Sequence, residues 1–103
     1  VFQPHLYSRT RALLQETADA LTGADVAIVT EIYAAREPHD PHISGRHVAD
    51  AVRGTPTQFA ATLADAADLT MAAVQPGDLV LTLGAGDITS LGQELLCRLE
   101  KRS

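Results

Sequence analysis

His5, Tyr7, Arg9 and Arg11 form the densest group of chemically capable side chains in this 103-residue chain. They fall at the start of an expected helix over Arg9 to Leu21. Leu14, Ala18 and Leu21 recur there at i, i+4 and i+7, and Gly23 stops the run. Ser8 or Thr10 is the expected cap, because a hydroxyl accepts the free N–H groups of a first turn. The amino end of a helix carries partial positive charge, so cations there cost about 0.3–1 kcal/mol. Two arginines at that end make sense if an anion is bound in front of them. A helix end with a guanidinium fork receives carboxylate or phosphate. The bland alternative is a pair of solvated arginines on flexible stems.

Two other loops hold unusual residues. Tyr33, Arg36 and Glu37 precede His39-Asp40-Pro41-His42, with His47 nearby. Zinc uses His and Asp ligands, but no cysteine pair accompanies these, so they read as solvated loop histidines and no metal site is expected. Gly84-Ala85-Gly86 resembles the opening of a dinucleotide fingerprint, yet Thr89 stands in place of the third glycine. Asp87 also puts a negative charge where a pyrophosphate would lie. The segment is expected to be a tight turn at which backbone can approach a ligand closely. No G-x-x-x-x-G-K-[ST] phosphate loop occurs. The one lysine, Lys101, lies near the C-terminus, which argues against Schiff-base chemistry. Cys97, beside Leu96, reads as an inert core thiol. Ser90 lacks the flanking glycines of a nucleophile elbow.

The elements that must position these loops alternate. Val26–Val29 is a short apolar run of the kind buried on both sides. Ser44 can cap a helix over about Arg46 to Arg53, and Thr57–Phe59 suggests a brief strand. Thr62 to Val74 reads as a helix with Leu63, Ala67, Thr70 and Val74 on one face. Leu79–Leu83 is the clearest strand pattern in the chain. Ile88, Leu91, Leu95 and Leu99 mark a last helix. Alternation of this kind predicts an α/β domain, a mostly parallel sheet with helices on its faces. Ligands of such sheets bind beyond the carboxyl ends of the strands, where all three loops should gather. Val1-Phe2-Gln3 reads as the end of a strand before Pro4, so the expectation is a piece of a longer protein, truncated at its N-terminal edge.

Composition bounds the function. Net charge is −5, with 13 acids against 8 bases, which argues against a phosphate-backbone binder. No run of 18 apolar residues occurs, so no membrane span is expected. A single cysteine suits a reducing compartment. Hydrophobic residues make up 46% of the chain and Trp is absent, so the core must be aliphatic.

Val1-Phe2-Gln3-Pro4-His5-Leu6-Tyr7-Ser8-Arg9-Thr10-Arg11 resembles the opening of the C-terminal domain in the Mur ligase family, in particular the members that add L-alanine. Ile32 to Glu37 and Pro76 to Ile88 look like that domain's second and third signatures, in the same order and spacing. The resemblance implies a Rossmann-like, three-layer domain over residues 1–103, the amino-acid-binding part of a three-domain enzyme. It implies an ATP-dependent amide ligase of cytoplasmic peptidoglycan synthesis, joining L-alanine to UDP-N-acetylmuramate through an acyl phosphate. ATP and Mg2+ would be bound mainly by the central domain, so this piece alone is expected to be inactive. The resemblance places His5 and Arg9 at the alanine carboxylate and acyl phosphate, with Tyr33 and Gly84, Ala85 and Gly86 lining the same cleft. Tyr7, Arg11 and Arg36 are supporting candidates. Many members carry arginine where this chain has Leu6, and glycine where it has Arg36, so Arg36 is expected to replace part of the lost charge. The alternatives are a stand-alone Rossmann-like interaction module, or a Mur ligase with another amino acid. Self-association through an exposed sheet edge is a further expectation.

Overall fold

A computed structural model of the chain describes residues 1–102. Its elements run α1 (Tyr7–Ala12), α2 (Leu14–Leu21), β1 (Ala27–Thr30), α3 (Gly45–Ala51), β2 (Thr57–Ala60), α4 (Leu63–Ala73), a 3-10 turn (Asp87–Ser90) and α5 (Leu91–Arg102). β1 and β2 pair in parallel, Ala27 opposite Thr57 through Thr30 opposite Ala60.

Residues 1–3 extend this sheet. Phe2 bridges Val29 on one side and Leu83 on the other, both in parallel. The Phe2 amide donates to Ile28, the Thr30 amide to Phe2, the Leu83 amide to Val1 and the Gln3 amide to Leu83, at 2.8–2.9 Å. Four parallel rows result, in the order 81–83, 1–3, β1, β2.

Side chains alternate across the rows and build a core on each face. Ile28 and Ala60, with Val1 packed against them, meet Ala66, Ala67, Ile88, Leu91 and Leu95 from α4, the 3-10 turn and α5. Val29, with Phe2 and Phe59, meets Val48 and Ala49 of α3 and Leu14 and Leu21 of α2. This is helix, sheet, helix: the three-layer, Rossmann-like α/β arrangement expected. All four residues of β1 are buried because helices cover both of its sides.

Local chemistry explains most boundaries. Ser44 accepts the Arg46 amide at 3.1 Å and His47 Nδ1 accepts the Ser44 amide at 3.0 Å, a reciprocal cap that starts α3. His47 thus has a structural task. Thr62 caps α4 through the Asp65 amide at 3.0 Å. Gly45 lies so close to β1 that a Cβ would stand 2.0 Å from the Thr30 carbonyl oxygen.

Three expectations need correction. The single helix over Arg9 to Leu21 begins earlier, at Tyr7, and is interrupted at Leu13 (φ −116°, ψ 23°). Neither Ser8 nor Thr10 caps it. Leu6 holds the cap position at φ 67° with no side-chain cap, and the Thr10 hydroxyl turns back to the Leu6 carbonyl at 2.7 Å. Leu79–Leu83 forms a ladder only near Leu83, and Leu79 is 83% exposed. Its apolar pattern reflects strand preference, but it is hydrogen-bonded on one side alone, by Val1–Gln3. Cys97 is exposed, not core. The inward stripe of α5 is Leu91 and Leu95, and Cys97, two residues past Leu95, is turned about 200° from it.

Candidate functional site

The carboxyl ends of the rows open into a cleft of about 300 Å³. Gln3, Thr30–Tyr33, Ala61–Leu63 and Asp87 line it. Ligands of parallel sheets occupy this position. Its charged lining is Glu31 and Asp87, with no arginine among the described residues. Glu31 is already engaged. One oxygen accepts the Gly45 amide at 2.7 Å and the Ile32 amide at 2.9 Å, tying α3 to the end of β1.

The structure brings His5 and Tyr33 together, with Tyr33 but not His5 among the residues that line the cleft. Their backbones form a parallel bridge, with the Leu6 amide on the Tyr33 carbonyl and the Tyr33 amide on the Pro4 carbonyl, both 2.9 Å. Their rings stack with centroids 5.8 Å apart and planes 12° from parallel. His5 Nδ1 is shielded from solvent and is the one buried side-chain nitrogen or oxygen without a hydrogen bond among the described residues.

The glycine turn closes on the same pair. A Cβ on Gly86 would lie 2.5 Å from the Tyr33 ring, and one on Gly84 would lie 2.7 Å from Ile88. Gly84 adopts φ 153°, which side chains resist. Ala85 is exposed. The close backbone approach is therefore made by the chain's own Tyr33, Gln3 and Ile88. The glycines of this turn therefore leave no open space for a phosphate cradle of the dinucleotide kind. Gln3 was missed by sequence reasoning. It is buried, donates to Asp87 at 2.6 Å and accepts the Ile88 amide at 3.3 Å. A polar residue flanked by apolar ones just before proline was the available signal.

The arginines sit differently from the expected picture. In six-residue α1, Arg9 and Arg11 occupy the last turn, where cations are tolerated. The amino end of α1 is filled from within the chain. Glu37 Oε1 accepts the Tyr7 amide at 2.5 Å and the Ser8 amide at 3.3 Å, and Oε2 accepts the Ser8 hydroxyl at 2.5 Å. These bonds, the Ser8 hydroxyl first, hold the Glu37 carboxyl below the ordinary glutamate range. The charge argument from arginines at a helix amino end therefore does not apply, and the group at that end is the carboxylate of Glu37, a side chain seen in the sequence only as part of a loop.

Around this clip the loop is stitched to α1. Arg11 pairs with Asp40. The Tyr7 hydroxyl lies 3.1 Å from His39 Nδ1, with the rings edge to face. The His42 amide and Arg11 together lower the Asp40 carboxyl from its ordinary value. Tyr7 and Arg11 are thus occupied by the loop. Arg9 and Arg36 are exposed and enter none of the ion pairs among the described residues. They are the cations left available on this side.

The chain is thus a three-layer α/β domain with a cleft at its strand ends, a stacked His5–Tyr33 pair, and an exposed Arg9 outside the ion pairs of the described residues. The family comparison is specific: residues 1–86 match the model of the family described as "Mur ligase, glutamate ligase domain", and the chain belongs to the Mur ligases. Among curated relatives, the chain is 45% identical over its full length to the UDP-N-acetylmuramate--L-alanine ligase of Mycobacteroides abscessus. It is 48% identical over its full length to that of Saccharopolyspora erythraea, and 50% identical over 98% of its length to that of Anaeromyxobacter dehalogenans. The chain spans about a fifth of the length of these relatives (21–22%).

Proposed function

We propose that this chain is the amino-acid-binding lobe of an ATP-dependent ligase that joins L-alanine to UDP-N-acetylmuramate in peptidoglycan synthesis. The observation that carries the reading is identity of 45–48%, over the whole of this chain, to a fifth of the length of ligases of that name, joined to the His5–Tyr33 stack and an exposed Arg9 outside the ion pairs of the described residues. In this reading the Arg9 guanidinium pairs with the substrate carboxylate in a charge-assisted fork. His5 and Tyr33 form the wall that orients it, and the 84–86 turn fixes that wall from behind.

ATP and Mg2+ belong to residues outside this chain, and no step of the acyl-phosphate route is assigned to the residues described above. The chain by itself should neither hydrolyse ATP nor form the amide, since a ligase site of this kind is completed by domain closure. A cytoplasmic setting follows from the nucleotide-linked substrate. No helix among the described residues is long and apolar enough to cross a membrane.

Arg36 is proposed to stand in for the cation that Leu6 lacks. Both Arg36 and Arg9 are exposed and outside the ion pairs of the described residues.

The test replaces the corresponding segment of the Mycobacteroides abscessus ligase with this chain and measures ADP release with L-alanine, glycine, L-serine and L-glutamate. L-Alanine should be used best. Arg9→Ala should raise KM for L-alanine at least about tenfold, the order expected for losing a charged hydrogen bond, and leave KM for ATP unchanged. Preference for another amino acid, or an Arg9→Ala chimera with unaltered KM for L-alanine, would remove this reading. Arg36→Ala should raise the same KM by a smaller factor.

A further inference from the structure

We infer that Glu37 is a positioning residue for the candidate carboxylate site: by closing the amino end of α1 it fixes the Leu6 turn, and with it the places of His5 and Arg9. The inference rests on the reading of His5 and Arg9 given above.

The geometry supports it in steps. Leu6 lies between those two residues at φ 67°, ψ 136°, a region nearly reserved for glycine. Such a conformation persists only where neighbours over-determine it. The Leu6 amide is held by the Tyr33 carbonyl, and its carbonyl is held by the Thr10 amide at 3.0 Å and hydroxyl at 2.7 Å. The next two amides, of Tyr7 and Ser8, have no helical acceptor because α1 begins there. Glu37 alone supplies one, together with the acceptor for the Ser8 hydroxyl. Glu37 is brought there by a second unusual turn, Ala35 at φ 53°, two residues after Tyr33. The two strained turns thus face each other across the His5–Tyr33 bridge, and the carboxylate joins them. Without it, Tyr7 and Ser8 lose their acceptor, Leu6 is free to relax, and the segment carrying His5 and Arg9 shifts. The groups that act on Glu37 are the Tyr7 and Ser8 amides and the Ser8 hydroxyl of α1, and the Asp40 carboxylate of its own loop, which Arg11 pairs.

The test is amide NMR on the 103-residue chain, with no substrate present, so its outcome is separate from the alanine assay. Glu37→Ala should speed hydrogen exchange at Tyr7 and Ser8 by roughly tenfold or more and shift the Leu6 and Arg9 amide signals, with Ile28 and Val29 unchanged. Glu37→Gln, which keeps an acceptor oxygen, should restore part of the protection. Unchanged exchange at Tyr7 and Ser8, or equal acceleration at Ile28, would overturn the inference. Should the variants not fold, acid titration of the unmodified chain decides. The Tyr7 and Ser8 amides should move together with the Glu37 carboxyl, below the ordinary glutamate range. Amides that follow Asp40 instead, or stay still, would overturn it equally.

Discussion

The Gln3 side chain donates to Asp87 at 2.6 Å, joining residues 84 positions apart at the mouth of the cleft. The same amide group accepts the Ile88 amide, so one side chain both ends the first row and begins the 3-10 turn. Gln3→Leu keeps the volume and removes both bonds. The expected cost is about 1–3 kcal/mol, read as a lower urea midpoint with an unchanged slope. An unchanged midpoint would mean that the turn is held by Ile88 packing alone.

Two glycines should respond in opposite degree. Gly45→Ala forces a Cβ onto the Thr30 carbonyl, backbone that cannot swing away, and should cost at least about 3 kcal/mol. Gly77→Ala meets open space and pays only for its positive φ of 93°, roughly 1–2 kcal/mol. Thermal melts of the two variants measured together check the ranking.

Stability should fall on the acid side. The Glu37 and Asp40 carboxyls titrate below their ordinary values in the folded chain, through Ser8 for the first and the His42 amide for the second. The unfolded chain therefore takes up these protons first. Their contribution is complete above the ordinary carboxylate range and disappears as pH drops through the lowered native values. Urea midpoints should be level from neutrality down to the ordinary range and then decline. The Glu37→Gln, Asp40→Asn double variant should show a shallower decline.

Cys97 should react with a thiol reagent in the native chain, one equivalent without denaturant, since it is exposed, with its sulfur 3.8 Å from Gln93 Nε2. A thiol that reacts only after unfolding would contradict the placement of α5.

The central strand and both core faces were readable because they depend on local pattern. Ala27 to Val29 announced burial on both sides, although Val26, read with them, lies outside β1 and is exposed, and Leu91 and Leu95 marked the packed stripe of the last helix, with Ile88 in the 3-10 turn before it. Leu79–Leu83 carried the same apolar signal and met a different fate, because a pattern reports what a segment prefers and not how many neighbours reach it. Cys97 could have been placed by its helical phase against Leu95, which adjacency to Leu96 obscured. The site was half legible. Types and loop positions identified His5, Tyr33 and Arg9 as candidates. The partner that closes α1 lies 30 residues from Tyr7, and nothing local to either residue announces the pairing.

Residues 1–3 form an inner row of this sheet. The outer neighbour, Leu81 to Leu83, is connected through contacts spanning some 80 positions, as in the Val1 nitrogen that donates to the Leu81 carbonyl. Topology of that kind slows folding, since the ends of a long loop must meet before either is rewarded. During synthesis residues 1–3 would wait for some 80 further residues to emerge. Helices α2, α3 and α4 can form meanwhile from nearby contacts, and the late arrival of residues 81–88 would lock residues 1–3 into place.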